Sequence, residues 1–428
     1  MSEPGQTMYD VIVVGSGPGG ASVARELARR GKRVLILEQG SAAPITGTLG
    51  QMVKMAAVPG RGLFMHRDLS LLVQGVTAGG SSAVNFATAA DPPAAMFAAH
   101  GIELAAELGA LRAELPIGPL PDNLVGPVAT RIMDGARTLG LDWRKLEKMI
   151  RPQLCRSGRW RCAYGCPFGA KWTARDFLDQ AVRHGATLLD EACVKRVIID
   201  DGKASGVQFV RHGTQQVARA GIVVLAGGGL GSPRLLHASG LGPRTSAFFS
   251  DPVVAVMGSV EGLDGGAEVP MASGMRLDGE GISLADLTLP KPMYQGFTAQ
   301  AMRLDRLGAH AQTLSIMVKI GDEIGGSVGP RWANKALQPS DRKKLSTGVG
   351  IARDILATCG ARHVFQTVHF AAHPGGSVRI GAGVDSDLQT AAKHLYVCDA
   401  SVIPQVWGLP PTLTLLCLGQ RLGAHLAV

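Results

Sequence analysis

Residues 9–38 read YDVIVVGSGPGGASVARELARRGKRVLILE. The apolar run 9–14 ends at glycine, as a buried parallel strand does. Residues 16–30 have helical spacing and stop at Gly31, and 33–37 form a second buried strand. The turn Gly15-Ser16-Gly17-Pro18-Gly19-Gly20 has G-x-G-x-x-G spacing between strand and helix. Gly15 permits the tight turn, Gly17 lets backbone approach a pyrophosphate, and Gly20 lets helix and strand pack closely. The helix that follows offers free N–H groups and about half a positive charge to phosphates. Glu38 ends the second strand, eighteen residues after Gly20. A carboxylate there accepts ribose hydroxyls and repels a 2′-phosphate, which favours FAD or NAD over NADP.

The chain has 428 residues, 46% hydrophobic and 18% charged, which suits a globular protein of two domains. Its 57 glycines imply many tight turns. No stretch reaches the ~18 apolar residues of a membrane helix. The most apolar terminal segment, 411–428, carries Arg421 and reads as a buried helix. No basic region followed by an apolar core opens the chain, so a cytoplasmic location is expected. The net charge of +9 can attract an acidic partner or an anionic substrate, but it is too dispersed to argue for nucleic acid.

Further along, 104–115, 128–139 and 173–184 read as helices. Residues 187–189, 193–199, 204–210 and 222–226 read as strands, the last closed by three glycines. From 251 to 367 the strands are shorter and more mixed, with one clear helix at 341–358 capped by Ser340. The texture of the first unit returns at strand 395–398 and at a final helix from Thr412. The expected organisation is a discontinuous cofactor domain (1–90, 180–250 and 368–428) and a substrate or cap domain (91–179 and 251–367).

Three further segments carry a resemblance. The first is Gly79-Gly80-Ser81-Ser82-Ala83-Val84-Asn85. The second runs from Gly228 to Gly242 and includes Ser232-Pro233 and Ser239-Gly240-Leu241-Gly242. The third runs from His373-Pro374-Gly375-Gly376-Ser377 through Asp399-Ala400-Ser401-Val402-Ile403-Pro404 to Pro411-Thr412. Together they resemble the glucose–methanol–choline oxidoreductase family, although Gly229 stands where that family usually has a slightly larger residue. The resemblance implies an α/β fold: an FAD-binding Rossmann-like domain plus a substrate domain with an antiparallel sheet and helices. It also implies cofactor contacts. Gly79, Gly80, Ser81, Ser82 and Asn85 would lie along the pyrophosphate and flavin edge, Glu38 at ribose, Val194 by the adenine, and Ala226 beside the glycine turn. Asp399 and Ala400 would meet the ribityl–phosphate arm, and Pro411 and Thr412 the pyrimidine edge of the ring. No histidine or cysteine lies in 79–85 to tether the ring, so non-covalent FAD is expected.

Oxidation of an alcohol by flavin needs a base for the hydroxyl proton, and a histidine of near-neutral pKa serves well. His373 matches the family's catalytic histidine. The family's second histidine or asparagine falls at Pro410, which cannot hydrogen-bond a hydroxyl. His369, four residues before His373, would share its face on a strand and is a second catalytic candidate. Gln405 and Trp407 are others. The leading expectation is an FAD-dependent dehydrogenase or oxidase acting on a small-molecule, fairly apolar alcohol. The alternative is a lyase, isomerase or decarboxylase on the same scaffold with a modified pair, and a third reading is a non-catalytic FAD-binding subunit.

Cys155, Cys162 and Cys166 cluster ahead of Pro167-x-Gly169-Ala170-Lys171. Structural thiols, a disulfide, an iron–sulfur cluster and zinc all remain open for them. The surrounding basic residues (Arg144, Lys145, Lys148, Arg151, Arg156, Arg159, Arg161, Lys171 and Arg175) are either a solvated face or a docking site for an acidic electron-transfer partner.

Overall fold

The computed structural model describes residues 8–156 and 161–428. Strand β1 (Met8–Val14), helix α1 (Pro18–Arg29) and strand β2 (Val34–Leu37) form the expected unit. β1 is central and runs parallel to β2 on one side and to Thr214–Leu225 on the other. Thr187–Leu189 extends the parallel order beyond β2. The strand Thr214–Leu225 changes partner along its length. Its first half pairs antiparallel with Lys203–Arg211, and its last residues pair parallel with Leu395–Val397. Ala192–Asp200 closes a sheet of seven strands. Because β1 has parallel neighbours on both sides, a crevice opens at its carboxyl end, where such sheets bind ligands.

α1 buries nearly its whole length between the sheet, the helix Ala174–Arg183 and the helix Thr412–Leu426. Small residues allow this. Gly19 leaves no room for a side chain against the Cys398 carbonyl, nor Gly419 against Ser22.

The second sheet has nine strands. Its centre is antiparallel: Pro252–Ser259, Thr313–Ile320, Ile282–Asp286 and Ser273–Leu277 lie side by side. The helices Pro127–Thr138 and Pro339–Thr358 cover one face through a core containing Trp143, Ile316, Val318 and Leu356. The other face holds Ala255, Met257, Leu287, Tyr294 and Phe365, with Phe86 packed into both this cluster and the main core. Leu63–Met65, Leu71–Val73 and Phe370–Ala371, drawn from segments assigned by sequence to the cofactor domain, extend this sheet at one edge. The expected α/β fold of a Rossmann-like unit and a second, antiparallel unit is therefore the one the chain adopts.

Two local expectations change. The long helix starts at Pro339, and its cap is Gln338, not Ser340. Gln338 and Asp341 form a reciprocal capping box, with the Gln338 amide donating to Asp341 Oδ2 at 2.9 Å. The 222–226 strand begins at Thr214, because its polar first half is the solvent-facing arm of a hairpin. Among the described residues no helix is long and apolar enough to cross a membrane.

Candidate active site

Just past the end of β2, Glu38 is buried and holds the turn after β1 together. Its Oε2 accepts the Ser16 amide at 3.0 Å and the Ser16 hydroxyl at 2.7 Å, and its Oε1 accepts the Gly40 amide at 2.7 Å. A carboxylate can accept about four hydrogen bonds, so Oε1 keeps capacity for a ribose hydroxyl. Burial pushes the Glu38 pKa up, while the Ser16 and Gly40 donors pull it down. The glycines divide by role. A Cβ on Gly15 would lie 2.3 Å from the Ala226 carbonyl oxygen and one on Gly20 would lie 2.1 Å from that of Gly15, yet one on Gly17 would meet nothing within 4 Å. Gly17 alone of these three faces open space, as a backbone cradle for a pyrophosphate requires. The residues present fit a dinucleotide cofactor. Val194 lies two residues beyond Ala192, whose amide bonds the Glu38 carbonyl. Ala226 packs beneath Gly20.

The second glycine motif meets the first backbone to backbone. Gly79 donates its amide to the Ser16 hydroxyl at 3.1 Å, and a Cβ on Gly80 would lie 2.9 Å from the Gly17 Cα. Ser82 is committed to structure: it donates to the Gly79 carbonyl and accepts the Ala174 amide at the start of a helix. Ser81 accepts the Gly75 amide. Two cations brace this loop, Lys171 from the end of the cysteine motif and Arg175 from the basic segment. Arg175 bonds the carbonyls of Ala78, Ser41, Ala42 and Ala43, and Lys171 bonds those of Ala83, Asn85 and Cys162.

The C-terminal block closes the crevice. Asp399 accepts the Gly228 amide at 2.8 Å, the Ser232 hydroxyl at 2.5 Å and the Ser401 amide at 2.8 Å, tying its own turn to the start of the helix Gly228–Ala238. Ala400 accepts the Gly376 amide. Thr412 opens the last helix beside Pro411, and Asn85 Nδ2 donates to its hydroxyl at 3.3 Å. The unusual Gly229 has a cause here, since any Cβ would lie 2.0 Å from the Pro374 carbonyl oxygen.

His373 sits where 373–375 runs antiparallel to 249–251. Phe249 and Gly375 exchange backbone hydrogen bonds, which places Asp251 opposite His373. His373 Nδ1 and Asp251 Oδ2 are 3.3 Å apart. Asp251 is fully buried, accepts the Gly408 amide on Oδ1 at 2.9 Å, and has Lys319 Nζ 3.7 Å from Oδ2. Behind it, Asp322 pairs with Lys335 at 2.8 Å and accepts the Ser250 and Asp251 amides. Burial and the Lys319 charge lower the His373 pKa, and Asp251 raises it. Asp251 and Lys319 carry no local motif of their own, being remote in sequence from His373. The available signal was a single charged residue in the largely apolar strand Thr313–Ile320, every residue of which is buried.

His369 is placed differently from the strand geometry expected of it. The strand covers only Phe370–Ala371, and His369 Nε2 lies 3.5 Å from Asp68 Oδ2. The loop before Thr412 passes close by instead, through the Gly408–Asp251 bond. On it Trp407 is 4% exposed, and its indole nitrogen is without a hydrogen-bond partner among the described residues.

The three clustered cysteines are free thiols, and no group of three metal-ligating side chains is assembled among the described residues. The iron–sulfur and zinc expectations for Cys155, Cys162 and Cys166 therefore find no preformed site. Burial pushes the Cys162 thiol up to about 11, and it holds the Lys148 and Lys171 ammonium groups down to about 8. Nor is the basic segment a free patch. Arg144 pairs with Asp142, Lys145 with Asp122 and Arg151 with Asp176, while Lys148, Lys171 and Arg175 are spent on internal acceptors. Arg159 lies outside the described residues. The docking surface expected for an acidic electron-transfer partner is thus largely consumed by the fold.

Residues 9–258 match the N-terminal family model of GMC oxidoreductases, and residues 309–419 match the C-terminal one. An uncharacterised GMC-type oxidoreductase of Mycobacterium tuberculosis is 26% identical over 97% of this chain and 75% of its own length. A long-chain-alcohol oxidase of Arabidopsis thaliana is 25% identical over 96% of this chain and 66% of its own. Among solved structures, pyridoxine 4-oxidase from Mesorbium loti superposes with a TM-score of 0.76 at 18% identity, covering 97% of this chain and 99% of that one. A formate oxidase variant from Aspergillus oryzae gives 0.76 at 18% identity, covering 98% of each chain.

Proposed function

The chain belongs to the GMC oxidoreductase family and is an FAD-dependent oxidoreductase, and on that premise we propose that it oxidises the CH–OH group of a small-molecule alcohol with His373 as general base. The observation that carries this reading is the placement of His373. Its Nδ1 is turned to Asp251, about a quarter of its side chain remains exposed, and no partner takes Nε2 among the described residues. With its pKa lowered, the imidazole is neutral near pH 7 and can accept the hydroxyl proton at Nε2. FAD, when bound, supplies the acceptor for the hydride leaving the carbinol carbon. Gly17, Glu38 and the 79–85 loop would hold its adenosine and pyrophosphate portions, and Asn85 with Thr412 would meet the ring. Its attachment is non-covalent, a reading supported by the absence of histidine and cysteine from the 79–85 motif.

Pro410 offers no donor, and Trp407 takes over that role. Its indole N–H is the unpartnered buried donor on the same loop, suited to the alcohol oxygen. The substrate is apolar beyond its hydroxyl. Phe370 lies three residues before His373, Phe86 follows Asn85, and Phe370 stacks on Phe297 with centroids 4.9 Å apart. The relatives named as long-chain-alcohol oxidases support the same class.

The test uses FAD-loaded protein, straight-chain primary alcohols of graded length and an artificial electron acceptor. One acceptor reduced per aldehyde formed is expected, with kcat/KM rising with chain length. Product without acceptor consumption, or no turnover with any alcohol, would overturn the reading. Trp407→Phe should retain FAD and lose roughly 10²–10³-fold in kcat, the scale of one lost transition-state donor.

A further inference from the structure

We propose that Asp251, backed by Lys319, is the positioning residue that fixes the tautomer of His373, so that the base is prepared from behind rather than by a second catalytic side chain at position 410. The inference rests on His373 being the base.

Three observations carry it. First, the backbone makes Asp251 and His373 a cross-strand pair. The Phe249–Gly375 bridge sets the register, and the His373 amide donates to the Ser250 carbonyl at 3.4 Å. Asp251 adopts φ 52°, a left-handed conformation that aspartate tolerates better than most residues but still at some cost. Second, the two carboxylate oxygens have separate duties. Oδ1 takes the Gly408 amide at 2.9 Å, and Oδ2 faces Nδ1 of His373 at 3.3 Å and Lys319 Nζ at 3.7 Å. A carboxylate can only accept, so Nδ1 must carry a proton and Nε2 must be bare. Third, the charge array is buried and local. His373 faces Asp251 and Lys319. One layer further lie Asp322 and Lys335, and Arg276 acts on Lys319 from two strands away in the sheet. The Gly408 bond also links this pair to the loop that carries Trp407 and Pro410.

The Gly408 amide makes the arrangement testable, because it dictates which way an asparagine would turn. In Asp251→Asn the side-chain carbonyl must accept Gly408 N–H, which points the NH₂ group at His373 Nδ1. Nδ1 must then be the acceptor, and the proton moves to Nε2, where the base has to be free. The same logic accounts for the large cost of amidating the aspartate of a serine-protease triad.

The experiment is ¹⁵N NMR of histidine-labelled, FAD-loaded protein, with His373 assigned by its loss in His373→Gln. Wild type should show a protonated Nδ1 and a bare Nε2. Asp251→Asn should show the reverse, with the His373 titration midpoint about one pH unit or more lower. Lys319→Met should keep the wild-type tautomer and move the midpoint up, because it removes a repelling charge. Opposite displacements are not produced by a merely structural role. Bound flavin and thermal melting certify the fold, and Asp251→Asn/Lys319→Met, which leaves no lysine stranded, serves if the single variant does not fold. An Nε2–H tautomer in wild type, or a tautomer and midpoint unmoved by Asp251→Asn, would overturn the proposal. The readout needs no substrate, so it stands or falls independently of the proposed reaction.

Discussion

A methyl group added at Gly17 would meet no atom within 4 Å, whereas one at Gly20 would meet the Gly15 carbonyl oxygen at 2.1 Å. These neighbouring glycines should therefore fail in different ways. Gly17→Ala should leave the apo protein as stable, or more stable by about 0.4–1 kcal/mol, while FAD affinity falls about tenfold or more because the backbone can no longer approach the phosphates. Gly20→Ala should cost the apo protein on the order of 1–3 kcal/mol. Thermal melting and flavin titration of the two variants separate the effects. At this scale the sequence was legible wherever a residue type is forced by local geometry or belongs to a short motif, as with Gly15, Gly17, Gly20 and Glu38. His373 entered as a candidate through the family resemblance carried by His373-Pro374-Gly375-Gly376-Ser377, not through its local context alone. Asp251 and Lys319 were not legible, because what makes them part of the site is a cross-strand register that no local spacing encodes. The second role sought at His369 illustrates the same limit. Four residues along a strand share a face, but here the strand is only two residues long.

Helix termini show how tertiary burial modifies an element-level rule. The helix Pro127–Thr138 has Gly126 at its N-cap position, and the Val128 amide is met by both Glu268 oxygens at 3.2 and 3.3 Å. Burial nevertheless raises the Glu268 pKa to about 7. Below pH ~4.5 the side chain is protonated in both folded and unfolded chains. As the pH rises toward 7 the unfolded chain releases the proton and the folded chain keeps it, so stability falls across that window. Glu268→Gln should gain on the order of 2–3 kcal/mol relative to wild type between pH 4.5 and 8, measured by denaturant unfolding at both ends. A difference between the two proteins that does not change with pH would contradict this. Long helices were found from sequence within a few residues because their apolar spacing persists over several turns. The start of Pro339–Thr358 was misplaced because serine is the commoner cap, whereas Gln338 caps only with Asp341 answering it. Strands of two or three residues, such as Leu71–Val73 and Phe370–Ala371, carry no period of their own and exist because the larger sheet offers them an edge.

Across the whole molecule, the cofactor crevice is assembled from three distant parts of the chain: the first glycine turn with Glu38, the 79–85 loop, and the 399–412 block. FAD should therefore stabilise the protein as a unit, by about 2.7 kcal/mol at a free concentration a hundred times Kd. Calorimetry should show apo protein melting below holo protein, with the gap reduced in Glu38→Gln, which loses the charge at ribose and also sets an NH₂ group against one of the two backbone amides, Ser16 or Gly40, that the carboxylate accepts. The return of the chain to the first sheet at Leu395–Val397 was legible because the Rossmann texture recurs near that end of the sequence. What was not legible is that residues 63–73 and 370–371 cross over to the second sheet, bringing His373 to the seam where both units meet. Alcohol oxidation is proposed at that seam, with His373 as base. Its most direct test is anaerobic mixing of FAD-loaded wild type and His373→Gln with a long-chain primary alcohol, watching the visible flavin band. The account predicts bleaching in wild type and bleaching slowed roughly 10²–10⁴-fold in the variant at equal flavin content. Equal rates in the two proteins, or no bleaching of wild type by any alcohol, would contradict it.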